Sequence, residues 1–443
     1  MAERGNLIVA QSGGPTAVIN RSVVGVVHEA LKHREIDKIL GGCNGLKGII
    51  EERFIDLRAV GDEELDRAAQ LPGAMLGSTR FKPQKEDCEK VFEVCRKHGV
   101  RHFFYVGGND SALAASIVNR IAREKNYELR IFHVPKTIDN DLLVTDHCPG
   151  FGSAGRYVAL IELGNDLDNQ ALPGIKIDII MGRQAGWLTT TAAMGVEREG
   201  DGPQLLYFPE RPKSLAQIVA DIERVYSRNG RALVAVSEGI LGPDKRELVQ
   251  SDAIRDEARR MVGDVFVRWL DTFGEVMKAA GLGKPDAFGH IQLSGTGILA
   301  DFIAMVVSAI LNPKFGGKLR VRADTLGYAQ RSFAGCVSEN DAREAYEVGR
   351  EAVRYALKGD IDGSVVINRI GDGDQYRVEY KLDKLEHVAP DPDDVKKGKV
   401  PKGTKDVPRE FINAEGNGIT EECRRYLAPL IGALPKRARL AAK

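Results

Sequence analysis

The sequence predicts an α/β fold with mainly parallel sheets that helices cover on both faces. Short runs rich in Val and Ile alternate along the chain with segments whose apolar residues have helical spacing. Strands that are apolar along their whole length are typical of parallel sheets buried on both faces. At 443 residues the chain is also too long for one small core, so we expect two or more packed units.

The predicted elements follow one another in alternating order. Apolar runs predict strands at residues 7–10, 36–40, 103–106, 129–134, 177–181, 232–236 and 365–367. Helical spacing predicts helices at residues 17–31, 86–98, 111–123 and 215–226, and a last helix is expected at 420–431. Residues 391–409 are rich in Lys, Asp and Pro without periodicity, which predicts a surface segment before the last helix.

Composition narrows the class of protein. Lys plus Arg and Asp plus Glu both number 63, so no net charge favours binding to nucleic acid or to a membrane surface. The 6 cysteines are widely spaced without a Cys-x-x-Cys pair, which favours reduced thiols. The first apolar run is too short for a signal peptide, and none approaches the roughly 20 residues of a membrane helix. We expect a soluble cytoplasmic protein.

Glycine and charged residues follow several predicted strands. They lie at residues 11–15, 107–111, 136–141, 181–183 and 238–239. Ligands of parallel sheets bind at the carboxyl ends of the strands. Glycines in the first two segments let backbone N–H groups approach an anion at the start of a helix. A tight turn explains the first segment equally well, and a helix cap at Ser111 is an alternative for the second.

Residues 135–141, Pro-Lys-Thr-Ile-Asp-Asn-Asp, carry the strongest chemical signal. Phosphoryl transfer to an alcohol needs a base, cations beside the migrating phosphoryl and often a divalent metal. This segment supplies carboxylates and an ammonium directly after a strand. The alternative, an Asx-rich turn with a solvated lysine, does not account for the polar groups at the neighbouring strand ends. His147 beside Cys148 has no second ligand pair at metal-binding spacing, which favours a polar turn.

In this order the motifs resemble those of 6-phosphofructokinases. The set is Gly-Gly near the N-terminus, Gly-Ser-Thr-Arg, Gly-Gly-Asn-Asp-Ser, Pro-Lys-Thr-Ile-Asp-Asn-Asp, Met-Gly-Arg, Glu-Gly and Leu-Gly-Tyr-x-Gln-Arg. The tail resembles that of bacterial pyrophosphate-dependent members. The resemblance implies the phosphofructokinase fold, with two Rossmann-like three-layer domains and the active site in the cleft between them. It implies a donor domain at 1–138 plus 332–385, a sugar-phosphate domain at 139–331, and a C-terminal extension at 386–443 packing on the core.

The resemblance also implies a role for each site residue. Asp139 would be the base that takes the proton from the 1-hydroxyl of fructose 6-phosphate. Donor phosphates would be bound by Gly14, Arg80, Gly108 and Lys136. The sugar phosphate would be bound by Thr137, Ile138, Asp139, Met181, Gly182, Arg183, Glu238, Tyr328 and Arg331, and by Arg322 of a neighbouring subunit. A homodimer or homotetramer is therefore expected.

Two positions concern the phosphoryl donor. ATP-dependent members of the family have glycine where this chain has Asp110, and usually glycine where it has Lys136. A carboxylate at Asp110 would repel the α-phosphate of ATP and occupy its space, while Lys136 would stabilise the phosphoryl in transfer. With Asp139, these residues form the expected catalytic set for pyrophosphate. An ATP-dependent enzyme and a non-catalytic regulatory homologue that binds sugar phosphate are the alternatives.

Two residues depart from the pattern of the family. Asn109 stands where the family usually has a carboxylate, and an amide is a weaker Mg²⁺ ligand. The expected metal ligands are Asn109 and Asp141. Tyr328 stands at a 6-phosphate position that often holds histidine, and a tyrosine donates one hydrogen bond without becoming cationic.

Overall fold

The computed structural model describes residues 4–279, 296–390, 395 and 403–439. The chain divides into two compact units, and each has a sheet of its own. Unit 1 comprises Met1–Ala154, Arg331–Lys405 and Pro429–Gly432. Unit 2 comprises Gly155–Gln330, Asp406–Ala428 and Ala433–Lys443.

The boundaries of these units differ from the boundaries of the predicted domains. The predicted changes follow residues 138, 331 and 385, whereas the compact units change over after Ala154 and Gln330. The described part of 386–443 is divided between the two units. The assignment of a donor domain and a sugar-phosphate domain stays a prediction.

The α/β class with mainly parallel sheets is confirmed. The strands of the described residues are β1 Gly5–Gln11, β2 Ile36–Gly42, β3 Phe54–Asp56, β4 Val100–Gly107, β5 Arg130–Pro135, β6 Ile175–Ile180, β7 Leu205–Tyr207, β8 Ala232–Ser237, β9 Val321–Thr325, β10 Asp362–Ile370 and β11 Arg377–Asp383. The helices are α1 Ile19–Ala30, α2 Gly45–Ile50, α3 Asp62–Gln70, α4 Lys85–Lys97, α5 Asn109–Glu124, α6 Phe151–Ala171, α7 Trp187–Thr191, α8 Leu215–Asn229, α9 Asp252–Val262, α10 Asp264–Ala279, α11 Ile298–Lys314, α12 Glu339–Lys358, α13 Leu385–Val388 and α14 Glu421–Ile431.

Unit 1 has three layers around its sheet. Within the described residues the strand order is β11-β10-β5-β4-β1-β2-β3, and β1, β2, β4, β5 and β10 run parallel. Leu7 and Val9 of β1 pack with α1 and α12 on one face, while Ile8 and Ala10 pack with α4 and α5 on the other. Alternate residues of a strand point to opposite faces, so an uninterrupted apolar strand serves both layers.

Helices α1 and α12 lie unusually close together. A Cβ atom on Gly25 of α1 would collide with the backbone carbonyl of Tyr346 in α12. Gly349 of α12 faces the carbonyl of Ser22 in the same way. Glycine is needed at both positions because any side chain would push the two backbones apart.

Unit 2 is built on a smaller parallel sheet. In the described part of the chain its strand order is β7-β8-β6-β9. Ile177 of β6 and Val234 of β8 pack into a core with α8, α9 and α11. On the opposite face, Asp178 accepts a hydrogen bond from Asn165 of α6 at 2.9 Å.

The strands that the sequence pattern missed are short or lie at sheet edges. Strands β3 and β11 pair antiparallel with one neighbour each, and β7 has only 3 residues. Strands β7 and β9 form the two edges of the sheet in unit 2, and β9 contains the charged residues Arg322 and Asp324. An edge strand is covered less completely than a central one, so its apolar signal is weaker.

The predicted surface segment at 391–409 lies mostly outside the described residues. In its described part, however, Val407 is buried and Lys405 is partly buried. The burial of Val407 and the partial burial of Lys405 were not expected from the polar composition of this segment. None of the described helices is long and apolar enough to cross a membrane.

Candidate active site

The glycine-rich and charged segments of unit 1 meet at one edge of its sheet. Strand β4 lies between β1 and β5, with Ala10 opposite Tyr105 and Gly107 opposite Pro135. The segments that follow these strands therefore leave the sheet side by side. This arrangement brings the predicted donor residues and the predicted base into one region, as parallel strand order requires.

Two cations lie against the first glycine loop. The Lys136 ammonium donates a hydrogen bond to the Gly14 carbonyl at 2.8 Å, and a Cβ on Gly13 would lie 3.1 Å from its Nζ. A Cβ on Gly14 would lie 3.0 Å from Nη1 of Arg331. Gly13 has φ of 78°, which favours glycine. Side chains larger than hydrogen would crowd these cations.

Lys136 is a buried cation among other charges. Burial lowers the pKa of Lys136 to about 8, and the positive charges of Arg331 and Arg80 act in the same direction. Asp139 and Asp141 oppose this shift by favouring the ammonium. A desolvated ammonium therefore lies near the carboxylates of Asp139 and Asp141. Such a combination is suited to a reaction of a small polyanion.

The second glycine loop leaves space at the start of α5. A Cβ on Gly107 would collide with Ser111, so packing within the protein requires that glycine. A Cβ on Gly108 would meet only the Lys136 carbonyl, at 3.6 Å. Gly108 immediately precedes the first turn of this 16-residue helix. The open space and the helix N-terminus together suit an anion.

Asp110 lies in the first turn of α5 and is largely exposed. Its carboxylate is 3.5 Å from Nζ of Lys82, and 56% of the side chain is accessible. Sequence reasoning did not single out Lys82, although it follows the Gly-Ser-Thr-Arg motif by two residues. Arg80 of that motif is exposed as well.

Asn109, Asp139 and Asp141 form the oxygen-rich part of the site. Asn109 donates from Nδ2 to Asp141 at 3.2 Å, and its buried Oδ1 has no hydrogen-bond partner among the described residues. Burial raises the pKa of Asp141 to about 7, the charge of Asp139 adds to this, and Lys405 and Thr137 oppose it. The Asp139 amide donates to Thr137 Oγ1 at 3.1 Å.

This donor set fits Mg²⁺ in part. Carboxylate and amide oxygens are its usual protein ligands, and within the described residues the Asn109 oxygen is an acceptor without a donor. No group of three or more His, Cys, Asp and Glu within the described residues is placed to hold a metal ion. Mg²⁺ commonly takes one or two protein oxygens and completes its shell with substrate phosphates and water. The residues present are consistent with that mode.

Unit 2 brings together the predicted sugar-binding residues that follow β6 and β8. The Gly182 amide donates to Glu238 Oε1 at 3.3 Å, and Arg183 Nε lies 4.0 Å from the same oxygen. Ser237 donates to the Gly182 carbonyl at 2.6 Å, and the Met181 amide donates to Gln330 at 3.2 Å. Ser237 and Gln330 belong to the polar segments Ser-Glu-Gly and Tyr-Ala-Gln-Arg of the sequence, but no role was predicted for either residue.

The other predicted sugar-phosphate residues are more widely distributed. Ile138 is buried. Tyr328 is 43% exposed in the 3-10 helix Gly327–Arg331. Arg322 donates to Asp168 of its own chain at 2.8 Å. Arg331, predicted to hold the 6-phosphate, lies in unit 1 beside Gly14, among the predicted donor residues.

Two histidines close to these loops have structural partners. His133 donates from Nε2 to the Gly107 carbonyl at 2.8 Å, and burial lowers its pKa to about 4. His147 lies between Asp146 and Glu344 at 2.8 and 2.7 Å. Burial opposes its charge, but these two carboxylates raise the pKa of His147 to about 9. The pairing of His147 with Glu344 of α12 could not be predicted from the sequence, because the two residues are 197 positions apart.

The chain is similar to known proteins over nearly all its length. The family model described as phosphofructokinase matches residues 6–356. Pyrophosphate–fructose 6-phosphate 1-phosphotransferase of Rhodospirillum rubrum is 44% identical, over 97% of this chain and 95% of that protein. The protein of the same name from Halomonas elongata is 34% identical, over 98% and 96%.

A solved structure is similar as well. The pyrophosphate-dependent phosphofructokinase of Marinobacter aquaeolei matches with a TM-score of 0.76 and 30% identity. That match covers 98% of this chain and 93% of the solved chain.

Proposed function

We propose that this chain, which belongs to the phosphofructokinase family, transfers a phosphoryl group from pyrophosphate to fructose 6-phosphate. The acceptor is the 1-hydroxyl, and the products are fructose 1,6-bisphosphate and phosphate. Relatives whose names state this reaction match nearly the whole chain. Pyrophosphate and the new ester have comparable transfer potential, so the reaction is reversible and serves both directions of glycolytic flow.

The observation that carries the proposal is the buried Lys136 ammonium on the first glycine loop. It lies 2.8 Å from the Gly14 carbonyl, and the charges of Arg80 and Arg331 act on it. Lys136 and Arg80 are suited to the phosphates of a small donor. The Asp110 carboxylate stands at the start of α5, where it disfavours the additional phosphate of a nucleotide.

Each part of the transfer has a residue in this proposal. Asp139 accepts the proton of the attacking hydroxyl, while Lys136 stabilises the charge on the phosphoryl in transfer. Donor phosphates also bind at Gly14, Arg80 and Gly108. The acceptor is bound by Thr137, Ile138, Asp139, Met181, Gly182, Arg183, Glu238, Tyr328 and Arg331.

The proposal includes Mg²⁺. Asn109 and Asp141 would hold the ion, with the carboxylate of Asp139 close enough to influence Asp141. When bound, Mg²⁺ neutralises charge on the phosphate oxygens. The amide at Asn109 leaves more of the coordination to phosphate and water than a carboxylate would.

We further propose a cytoplasmic homodimer or homotetramer. The support for assembly is the resemblance that assigns Arg322 to a neighbouring subunit. In this chain Arg322 binds Asp168 at 2.8 Å, so serving a neighbour would require that ion pair to open. Light scattering on the purified protein measures the mass of the assembly directly.

A matrix of donors and acceptors tests the proposed reaction. Pyrophosphate and ATP are each assayed with fructose 6-phosphate and with sedoheptulose 7-phosphate, in the presence of Mg²⁺. We expect pyrophosphate with fructose 6-phosphate to give the highest kcat/KM. Equal or faster turnover with ATP contradicts the assignment of the donor, and no turnover with any pair supports the regulatory alternative.

A double variant tests the residues assigned to donor choice. Asp110→Gly with Lys136→Gly removes the excluding carboxylate and the compensating ammonium. We expect pyrophosphate turnover to fall by about 100-fold or more, as for loss of a group that stabilises transition-state charge. The matched control is Asp360→Gly with Lys384→Gly, at exposed positions of the same unit. Unchanged pyrophosphate turnover in the first double variant refutes the donor assignment.

A further inference from the structure

An irregular segment follows the proposed base directly. Asn140 has φ of 54°, so the chain turns sharply between Asp139 and Asp141. The Cys148 amide donates to Asn140 Oδ1 at 3.0 Å, which closes the segment into a loop. Where Asp139 and Asp141 point therefore depends on how residues 141–148 are held.

Lys405 of the C-terminal segment binds this loop at three points. Its amide donates to the Asp141 carbonyl at 2.9 Å. Its ammonium donates to the Thr145 carbonyl at 3.1 Å and to the Asp146 carbonyl at 2.5 Å. One residue thus joins both ends of the 141–146 backbone.

Strand β10 holds the same loop from another direction. The Asp146 amide donates to the Ile367 carbonyl at 2.9 Å, and the Ile367 amide donates to Thr145 Oγ1 at 3.0 Å. These bonds fix the far end of the loop. Lys405 adds the link from that end back to Asp141, two residues from the proposed base.

The chemistry of Lys405 argues for a specific role. Its side chain is partly buried, and placing an ammonium there costs free energy unless its N–H groups are bound by acceptors. Backbone carbonyls in this setting need donors, and an ammonium has three to offer. A residue that only covered the loop could be apolar and would avoid the cost of a buried charge.

We propose that Lys405 is a positioning residue for the phosphoryl transfer, whose ammonium fixes the 141–146 loop and thereby the placement of Asp139 and Asp141. The inference rests on the proposed function for its kinetic consequence. Its structural part, the restraint of the loop, does not depend on which donor is used.

Lys405→Met removes the ammonium, keeps a side chain of similar length and leaves the backbone bond to Asp141 intact. We expect kcat to fall by about tenfold or more, since displacements near 1 Å at a reacting centre cost up to about 100-fold. KM for fructose 6-phosphate and for pyrophosphate should stay within about twofold, because most of the proposed binding residues, such as Gly14, Arg183 and Glu238, lie on other loops. Lys405→Arg, which can donate to both carbonyls, should recover most of kcat.

Hydrogen exchange followed by mass spectrometry gives a readout without catalysis. In Lys405→Met, we expect amides of residues 139–148 to exchange at least about threefold faster than in the wild type. Lys384→Met is the matched control, since Lys384 is exposed in the same unit and its side chain is 71% accessible. It should change neither kcat nor exchange, and thermal melting checks that each variant is folded.

The outcomes separate this inference from the proposed function. Lower kcat with unchanged KM and faster exchange at 139–148, both reversed in Lys405→Arg, support the role of Lys405. Unchanged kcat, unchanged exchange, or an equal loss spread over the whole chain overturns it. A wild-type protein without pyrophosphate turnover overturns the donor assignment, while the exchange comparison still decides whether Lys405 restrains the loop.

Discussion

The residues assigned to the donor in unit 1 and those assigned to the acceptor in unit 2 are held by different kinds of interaction. In unit 1, the charges of Asp139 and Asp141 act on Lys136 and that of Asp139 acts on Asp141, and burial moves the pKa of Lys136 and of Asp141 toward neutrality. In unit 2, the acceptor residues are held mainly through the backbone. Glu238 accepts from the Gly182 amide, and Gln330 accepts from the Met181 amide.

This difference predicts different tasks for the two units. Desolvated charge is valuable where charge develops during a reaction, since it interacts strongly and needs little reorganisation. Hydrogen bonds to a fixed backbone give shape and polarity to a binding surface. We therefore expect changes in unit 1 to act on kcat and on pH dependence, and changes in unit 2 to act on KM.

The largest effect is expected from the proposed base. Asp139→Asn keeps the size of the side chain but cannot accept the hydroxyl proton, so kcat should fall by about 1,000-fold. KM for both substrates should change by less than about threefold. Steady-state kinetics measures both constants, and Asp62→Asn, at an exposed position of α3, is the control. A fall of less than tenfold in kcat would remove Asp139 from the role of base.

The next effect concerns pH. Lys136 is charged below its pKa of about 8 and neutral above it. If the ammonium stabilises the phosphoryl in transfer, kcat/KM for pyrophosphate should decline by up to about tenfold per pH unit above pH 8. Lys136→Arg should lack this decline because a guanidinium stays charged. The pH profile of both proteins, with the same substrates, makes the comparison.

Unfolding does not explain such a decline. Because the folded pKa of Lys136 lies below its usual 10.5, the folded protein binds fewer protons than the unfolded chain between these values. The contribution of this group to stability therefore rises with pH in that window. A flat activity profile to pH 9.5 in the wild type would show that the charge of Lys136 is not needed.

The smallest effect is expected in unit 2. Glu238→Gln keeps the length of the side chain but weakens its bonds to donors such as a sugar hydroxyl and the Gly182 amide. We expect KM for fructose 6-phosphate to rise about tenfold, since a hydrogen bond to a charged group contributes about 1.5–3 kcal/mol. kcat should stay within about threefold. If kcat falls while KM does not change, the contrast between the units is wrong.

Much of the chemistry was readable from local sequence. The Pro-Lys-Thr-Ile-Asp-Asn-Asp segment combines a base candidate and a cation within a few residues, and it follows an apolar strand whose end is predictable. Parallel order then implies that the neighbouring loops converge, which the register of β1, β4 and β5 bears out. These predictions depend on short-range pattern and on a general rule about sheets.

The supporting residues could not be read in this way. His133 reaches its partner Ser364 across 231 positions, because β5 and β10 are neighbours in the sheet. Lys405 lies in a stretch whose polar composition predicted exposure, yet it binds the loop after the proposed base. The sequence around His133 and around Lys405 contains no pattern that predicts these partners.

Periodicity and strand-end motifs were enough for the α/β class and for locating the glycine-rich and charged segments, since each depends on neighbours along the chain. The tertiary structure determines which residues from distant parts of the chain surround these segments. The lowered pKa of Lys136, the placement of Arg331 beside Gly14 and the ion pair of Asp110 with Lys82 all depend on such distant groups. Desolvation and Coulomb interaction depend on distance in space, and only the tertiary structure sets that distance.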